Sequence, residues 1–219
     1  MFQIKICGVT SAEDARMVAR AGADAVGLNF FPASPRYVAP ERARPIIDAL
    51  PGGVVKVALF VNPQVADAID AVDRLGCDLI QLHGDEPPEL LAELGDRPVL
   101  RAFRIGPEGL QPMAEYVQRC RQLDCRPKMV LIDTLIKGEY GGTGKVANWS
   151  EACRHREVAG LPPLVLAGGL RPDNVAEAIR AVVPAAVDTA GGVESSPGRK
   201  DPAAVEAFVR AARIALAEI

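Results

Sequence analysis

A chain of 219 residues, 49% of them hydrophobic, can bury a substantial core as one large α/β domain or two small ones. Its formal net charge of -3 removes the basic footprint of a nucleic-acid binder and favours a small-molecule partner. No apolar run reaches the length of a membrane helix and MFQIKICG lacks the pattern of a signal peptide, so no membrane partner and a cytoplasmic location are expected.

Short β-rich runs alternate with longer helical ones along the chain. The first strand is read at FQIKIC (2–7), followed by a helix at 12–22 whose start is expected to be a capping box of Thr10 with Glu13. DAVGLNF (24–30) and a helix at 40–50 come next, then VKVALFV (55–61) with a helix at 63–76. DLIQLHG (78–84), PVLRAFRI (98–105) and KMVLIDT (128–134) precede helices at 87–95, 107–123 and 150–160 respectively. PLVLAGG (163–169) and AAVDTAGG (185–192) lead into helices at 172–183 and 202–219, the last with Asp201 as N-cap before Pro202. Eight such units without an evident linker predict a single (β/α)₈ barrel, a TIM barrel of somewhat less than the usual ~250 residues, as one domain over 1–219. An open doubly wound sheet is the alternative, because strand order is not visible in sequence.

A barrel carries its chemistry at the C-terminal ends of its strands, and the period of two sorts the faces. The first strand should send Phe2, Ile4 and Ile6 to the helices and Gln3, Lys5 and Cys7 inward. Gln81 and His83, Asp133, and Asp188 should face inward at the ends of the fourth, sixth and eighth strands. Five scattered cysteines without C-x-x-C, and only two histidines, argue for reduced thiols and no metal site. Among them only Cys7 ends a strand beside a glycine. Cys7 and Asp133 lie on one rim, where a thiol and a carboxyl group could act as base and acid; packing and helix-capping are their ordinary roles.

Glycine pairs follow the last two strands: Gly168 and Gly169, then Gly191 and Gly192. Loops at these positions of a barrel are the usual phosphate site, where backbone N–H groups reach an anion. KGEYGGTGKVANW (137–149) is a long loop suited to a lid; it departs from a Walker A motif at Glu139 and Val146. Arg36 in FFPASPRYV is held in a stiff setting, suited either to two-point binding of a carboxylate or phosphate or to an ordinary surface ion pair.

Taken in order, KICGVT, SPRYV, FVN, QLHGDE, LIDT, GGTGK, LAGGLRPDNV and VDTAGGVESSPGRKD closely resemble the phosphoribosylanthranilate isomerase family of tryptophan biosynthesis. The resemblance spans residues 5–201. It implies a cofactor-free, metal-free Amadori rearrangement of N-(5-phosphoribosyl)anthranilate to 1-(2-carboxyphenylamino)-1-deoxyribulose 5-phosphate, on a monomer or homodimer. By the same resemblance Asp133 is the general acid and Cys7 the general base. Arg36 would contact the anthranilate carboxylate, and the backbone at Gly168, Gly169, Gly191 and Gly192 would hold the phosphate. Asp188 would steady the amine or hydroxyls, and His83 belongs to the matched QLHG motif.

Two departures touch the site. Ala190, Gly191 and Gly192 stand where the family usually has Ser-Ser-Gly, and Asn29 replaces a common apolar residue. A related phosphosugar aldose-ketose isomerase would want aspartate in place of Cys7. A noncatalytic phosphometabolite-binding barrel has no need of Cys7 and Asp133 together. Cys7 also needs help to act as base near neutral pH, and Lys5, two residues earlier on the same face, is the candidate.

Overall fold

The computed structural model describes residues 1–134 and 149–219. The expected lid at 137–149, except Trp149, lies outside the described residues. Eight parallel strands close into a barrel in chain order: β1 (Ile4–Cys7), β2 (Ala25–Asn29), β3 (Val55–Phe60), β4 (Leu79–Leu82), β5 (Val99–Ile105), β6 (Met129–Thr134), β7 (Leu164–Leu166) and β8 (Ala186–Thr189). The TIM-barrel expectation is met, and the open sheet is excluded because β1 pairs with both β2 and β8.

Helices return the chain between strands: α1 (Ala12–Arg20), α2 (Pro40–Asp48), α3 (Val65–Leu75), α4 (Pro88–Glu93), α5 (Gln111–Gln122), α6 (Trp149–Ala152), α7 (Val175–Val182) and α8 (Pro202–Leu216). The predicted helix at 150–160 is instead the single turn of α6 followed by a 3₁₀ turn at Cys153–Glu157. Only Ala152 of that stretch is buried, so it lacks the apolar stripe that would anchor a longer helix. The cap of α1 also differs from expectation. Ser11, not Thr10, accepts from the Asp14 N–H at 3.0 Å, while the Thr10 hydroxyl donates to the Gly198 carbonyl at 2.6 Å. Asp201 caps α8 as expected, accepting from Ala204 N–H at 2.9 Å.

Alternation of side chains divides the core in two. Outward residues such as Ile4, Ile6, Val130 and Ile132 meet the helices, while Val57, Leu79, Leu100, Met129, Leu131 and Val165 fill the barrel's interior. Phe2 breaks the predicted phase: it packs with the interior group. The strand begins only at Ile4, and at Gln3 the chain bends, so the period of two does not reach back. Gln3 points outward instead, accepting from Arg213 of α8 at 3.0 Å.

One buried polar network holds the loops around the fourth strand. Arg101 of β5 pairs with Glu86 at 3.3 Å, and Glu86 Oε1 accepts from the N–H groups of Asn62 at 2.8 Å and Gly84 at 2.9 Å. Removing either charge would strand the other in the core, so this pair fixes the loop that follows β4. After β8 a short antiparallel hairpin, β9 (Glu194–Ser196) and β10 (Arg199–Lys200), turns at Pro197 and Gly198. Gly198 has φ +81°, which explains glycine after proline in this turn.

Candidate active site

The candidate catalytic and substrate-binding residues from the sequence reach one cavity of about 570 Å³ at the C-terminal end of the strands, with Lys5 buried beneath it. Cys7, Arg36, His83, Asp133 and Asp188 line it together with Gly168, Gly169, Gly191 and Gly192. Its size suits a small molecule. Period-two reasoning was correct for Cys7, Asp133 and Asp188 because each sits on a regular strand whose interior neighbours, Ala25, Leu131 and Ala186, fill the floor.

At the floor the closure of the barrel sets Lys5 beside Asp188 in register, and Lys5 Nζ donates to Asp188 Oδ1 at 3.0 Å. The Lys5 side chain has no solvent exposure. Burial alone would lower the Lys5 pKa, but attraction to Asp188 and to Cys7 overcomes it, so the ammonium is held protonated. For Cys7 the balance runs the other way. Burial pushes the thiol above its ordinary range, Lys5 opposes the rise, and Asp188 adds to it. Lys5 thus acts in the expected direction without activating the thiol on its own. Gly27 makes this crowding possible: a Cβ there would stand 2.8 Å from Cys7 Sγ and 3.1 Å from Lys5 Nζ.

Across the cavity, His83 Nε2 stands 3.2 Å from Asp133 Oδ2, and its Nδ1 is 2.8 Å from the buried Gln81 amide. The carboxyl group is therefore flanked by an imidazole oriented through Gln81, whose Nε2 end approaches Asp133 without a formed hydrogen bond.

Arg36 is delivered by the loop after β2. Asn29 folds that loop, accepting from Phe31 N–H at 2.9 Å and donating to Ser34 Oγ at 3.0 Å, while Ser34 Oγ accepts from Arg36 N–H at 3.1 Å. The departure at Asn29 thus has a local use in shaping the loop. The guanidinium stem crosses Gly8, which has φ +72° and no room for a side chain against Arg36 Cδ. Glu194 receives Arg36 through both oxygens, Nε at 2.9 Å and Nη2 at 2.6 Å, and also accepts from Lys200 at 2.7 Å. Gln81 faces inward as expected and orients His83; sequence reading missed Gly27, Glu194 and Lys200. The signal for Glu194 was its place in the matched run VDTAGGVESSPGRKD.

The two glycine loops meet one another. Thr189 Oγ1 donates to the Leu170 carbonyl at 2.7 Å, and a Cβ on Gly192 would collide with that same oxygen. Gly168 and Gly169 take φ +89° and +66°, a conformation other residues rarely adopt. Such closely joined backbone can present N–H groups to an anion without hydroxyl side chains. Among the described residues no three His, Cys, Asp or Glu side chains gather in a metal-binding cluster, and no helix is long and apolar enough to cross a membrane.

Residues 4–211 match the family model of N-(5'phosphoribosyl)anthranilate (PRA) isomerase. The N-(5'-phosphoribosyl)anthranilate isomerase of Geobacter metallireducens is 47% identical over 214 residues, which cover 97% of this chain and 100% of the relative. Phosphoribosyl anthranilate isomerase from Thermotoga maritima superposes with a TM-score of 0.86 at 39% identity, covering 97% of this chain and 99% of that one. A phosphoribosyl anthranilate isomerase solved with reduced 1-(o-carboxyphenylamino)-1-deoxyribulose 5-phosphate gives a TM-score of 0.82 at 36% identity, with the same coverage. The barrel, the rim residues and these full-length matches agree: the chain belongs to the N-(5'-phosphoribosyl)anthranilate isomerase family and is an isomerase of tryptophan biosynthesis.

Proposed function

We propose that the chain converts N-(5-phosphoribosyl)anthranilate to 1-(2-carboxyphenylamino)-1-deoxyribulose 5-phosphate, with Asp133 as general acid and Cys7 as general base. The observation that carries this reading is the convergence of a thiol and a carboxyl group on one cavity that also holds Arg36 and both glycine loops. Asp133 donates its proton to the ribose ring oxygen as the C1′–O bond breaks. The nitrogen lone pair forms the C1′=N bond of an iminium ion. Cys7, as thiolate, removes the proton from C2′; the C–H electron pair becomes C1′=C2′ and the iminium electrons return to nitrogen. The enolamine then loses its enol proton and gains one at C1′, giving the ketone.

This chemistry draws on no cofactor, because the iminium nitrogen is the electron sink. It also answers the raised Cys7 thiol. A cation formed by ring opening within reach of Cys7 would favour the thiolate, its own proton given up to solvent, when the C2′ proton must be taken. Arg36 engages the ring carboxylate, the loops at Gly168, Gly169, Gly191 and Gly192 hold the phosphate, and Asp188 steadies the substrate's polar groups from its pair with Lys5. The protein works on this phosphorylated small molecule in the cytoplasm, as a monomer or homodimer.

The test is turnover by purified protein without added metal or nucleotide, read as formation of the ketone carbon at C2′ by ¹³C NMR. The expected result is conversion in the wild type and loss of most activity in folded Cys7→Ala and Asp133→Asn. Wild type that binds the substrate and never converts it would replace the isomerase with a binding barrel.

A further inference from the structure

Arg36 does not reach the cavity as an isolated cation. Its Nε and Nη2 donate side-on to the two oxygens of Glu194, at 2.9 and 2.6 Å. That arrangement consumes one hydrogen on each of these nitrogens and leaves the end-on fork, Nη1 with the second Nη2 hydrogen, for another carboxylate. Glu194 alone would cancel the charge of Arg36. Lys200 prevents this: its side chain has no solvent exposure, and Nζ donates to Glu194 Oε1 at 2.7 Å and to the Ala190 carbonyl at 3.0 Å. The three groups carry a net positive charge, and only Arg36 lines the cavity.

We infer that Glu194, held by Lys200, is a positioning residue that aims the end-on fork of Arg36 at the carboxylate of the ligand's ring. The inference deepens the isomerase reading and rests on it for the identity of that carboxylate. Guanidinium side chains lose their grip when free to turn, because two-point binding needs both donors in the plane of the acceptor. Glu194 fixes that plane from the opposite edge. Lys200, bonded to the loop after β8 through Ala190, ties the same clamp to the loop expected to hold phosphate.

The test is titration calorimetry with two probes: reduced 1-(2-carboxyphenylamino)-1-deoxyribulose 5-phosphate and its counterpart lacking the ring carboxylate. Losing one charge-assisted hydrogen bond, Glu194→Gln should bind the carboxylated probe about ten- to a hundredfold more weakly and the counterpart as wild type does. In an Arg36→Met background the Glu194→Gln change should cost nothing further. Turnover should show the loss in KM rather than kcat. Lys200→Met stands in if Glu194→Gln does not fold, and should weaken the carboxylated probe more than the counterpart, any loss shared by both probes reporting its bond to Ala190. Equal weakening toward both probes, additive losses, or a wild type with no preference for the carboxylated probe would each overturn the clamp. Absence of wild-type turnover would instead overturn the isomerase reading, with the binding comparison still deciding the clamp.

Discussion

Gly27→Ala puts one methyl group into the tightest part of the site. The new Cβ would meet Cys7 Sγ at 2.8 Å, Lys5 Nζ at 3.1 Å and the Cys7 Cα at 3.2 Å. Comfortable separations between nonbonded carbon atoms are about 3.5–4.0 Å, so each neighbour must give way by several tenths of an ångström. The Cα is backbone of β1 and is held by the parallel ladders on both sides, which leaves the thiol to move. Overpacking of this kind costs about 1–3 kcal/mol, and at about 2–4 °C per kcal/mol for a domain of this size Tm should fall by roughly 2–12 °C. The fold survives, and with the proposed base displaced by about 1 Å the rate should fall on the order of a hundredfold. Thermal unfolding, steady-state kinetics and alkylation of Cys7 check this together. Wild-type kcat/KM with an unchanged alkylation rate would refute the claim that Gly27 makes room for a reacting thiol.

Further consequences follow from charge and packing. Because burial raises the Cys7 thiol, kcat/KM should climb with pH on the alkaline side of the ordinary cysteine range. Lys5→Met with Asp188→Asn, which avoids a stranded carboxylate, removes both the lowering by Lys5 and the smaller raising by Asp188, so the limb should still move higher; a limb that stays put or falls contradicts the assignment. Glu194 is held below the ordinary glutamate range, burial being outweighed by Arg36 and Lys200. Its contribution to stability is therefore present above the unfolded value of about 4.3 and is lost as pH falls through the folded one, so urea midpoints of Glu194→Gln should depend less on pH below that value. Gly192→Ala should run into the Leu170 carbonyl, part the two glycine loops and raise KM; unchanged protection by inorganic phosphate against heat would speak against a phosphate site there. Leu131→Ala, which empties a place inside the barrel, should cost about 2–5 kcal/mol in denaturant titration.

The barrel was legible because parallel strands need crossover helices, and eight alternations leave few architectures that bury both faces of every strand. The inward turn of Cys7, Asp133 and Asp188 was legible for the same reason: regular strands keep a period of two. Phe2 and Gln3 failed because pairing begins only at Ile4, a boundary set by tertiary contacts and not by the run of apolar residues. The α1 cap failed by one residue, since Thr10 is drawn away to a hairpin on the far side of the chain. Glu194 and Lys200 were out of reach of periodicity for a related reason, and only their place in the matched run marked them. Glu194 meets Arg36 across 158 residues of sequence, through a loop and a hairpin that carry no periodic signal. Half of the floor could have been foreseen: Lys5 and Asp188 both read as inward, and closing the first strand on the eighth makes them neighbours.

In the proposed mechanism Cys7 removes the C2′ proton after Asp133 has opened the ring. It is tested most directly with substrate deuterated at C2′, following release of the label to water alongside formation of the ketone. Wild type should release deuterium as it turns over and show a slower rate with the labelled substrate, while folded Cys7→Ala and Asp133→Asn release almost none. Label release and turnover at the wild-type rate in Cys7→Ala would contradict the account.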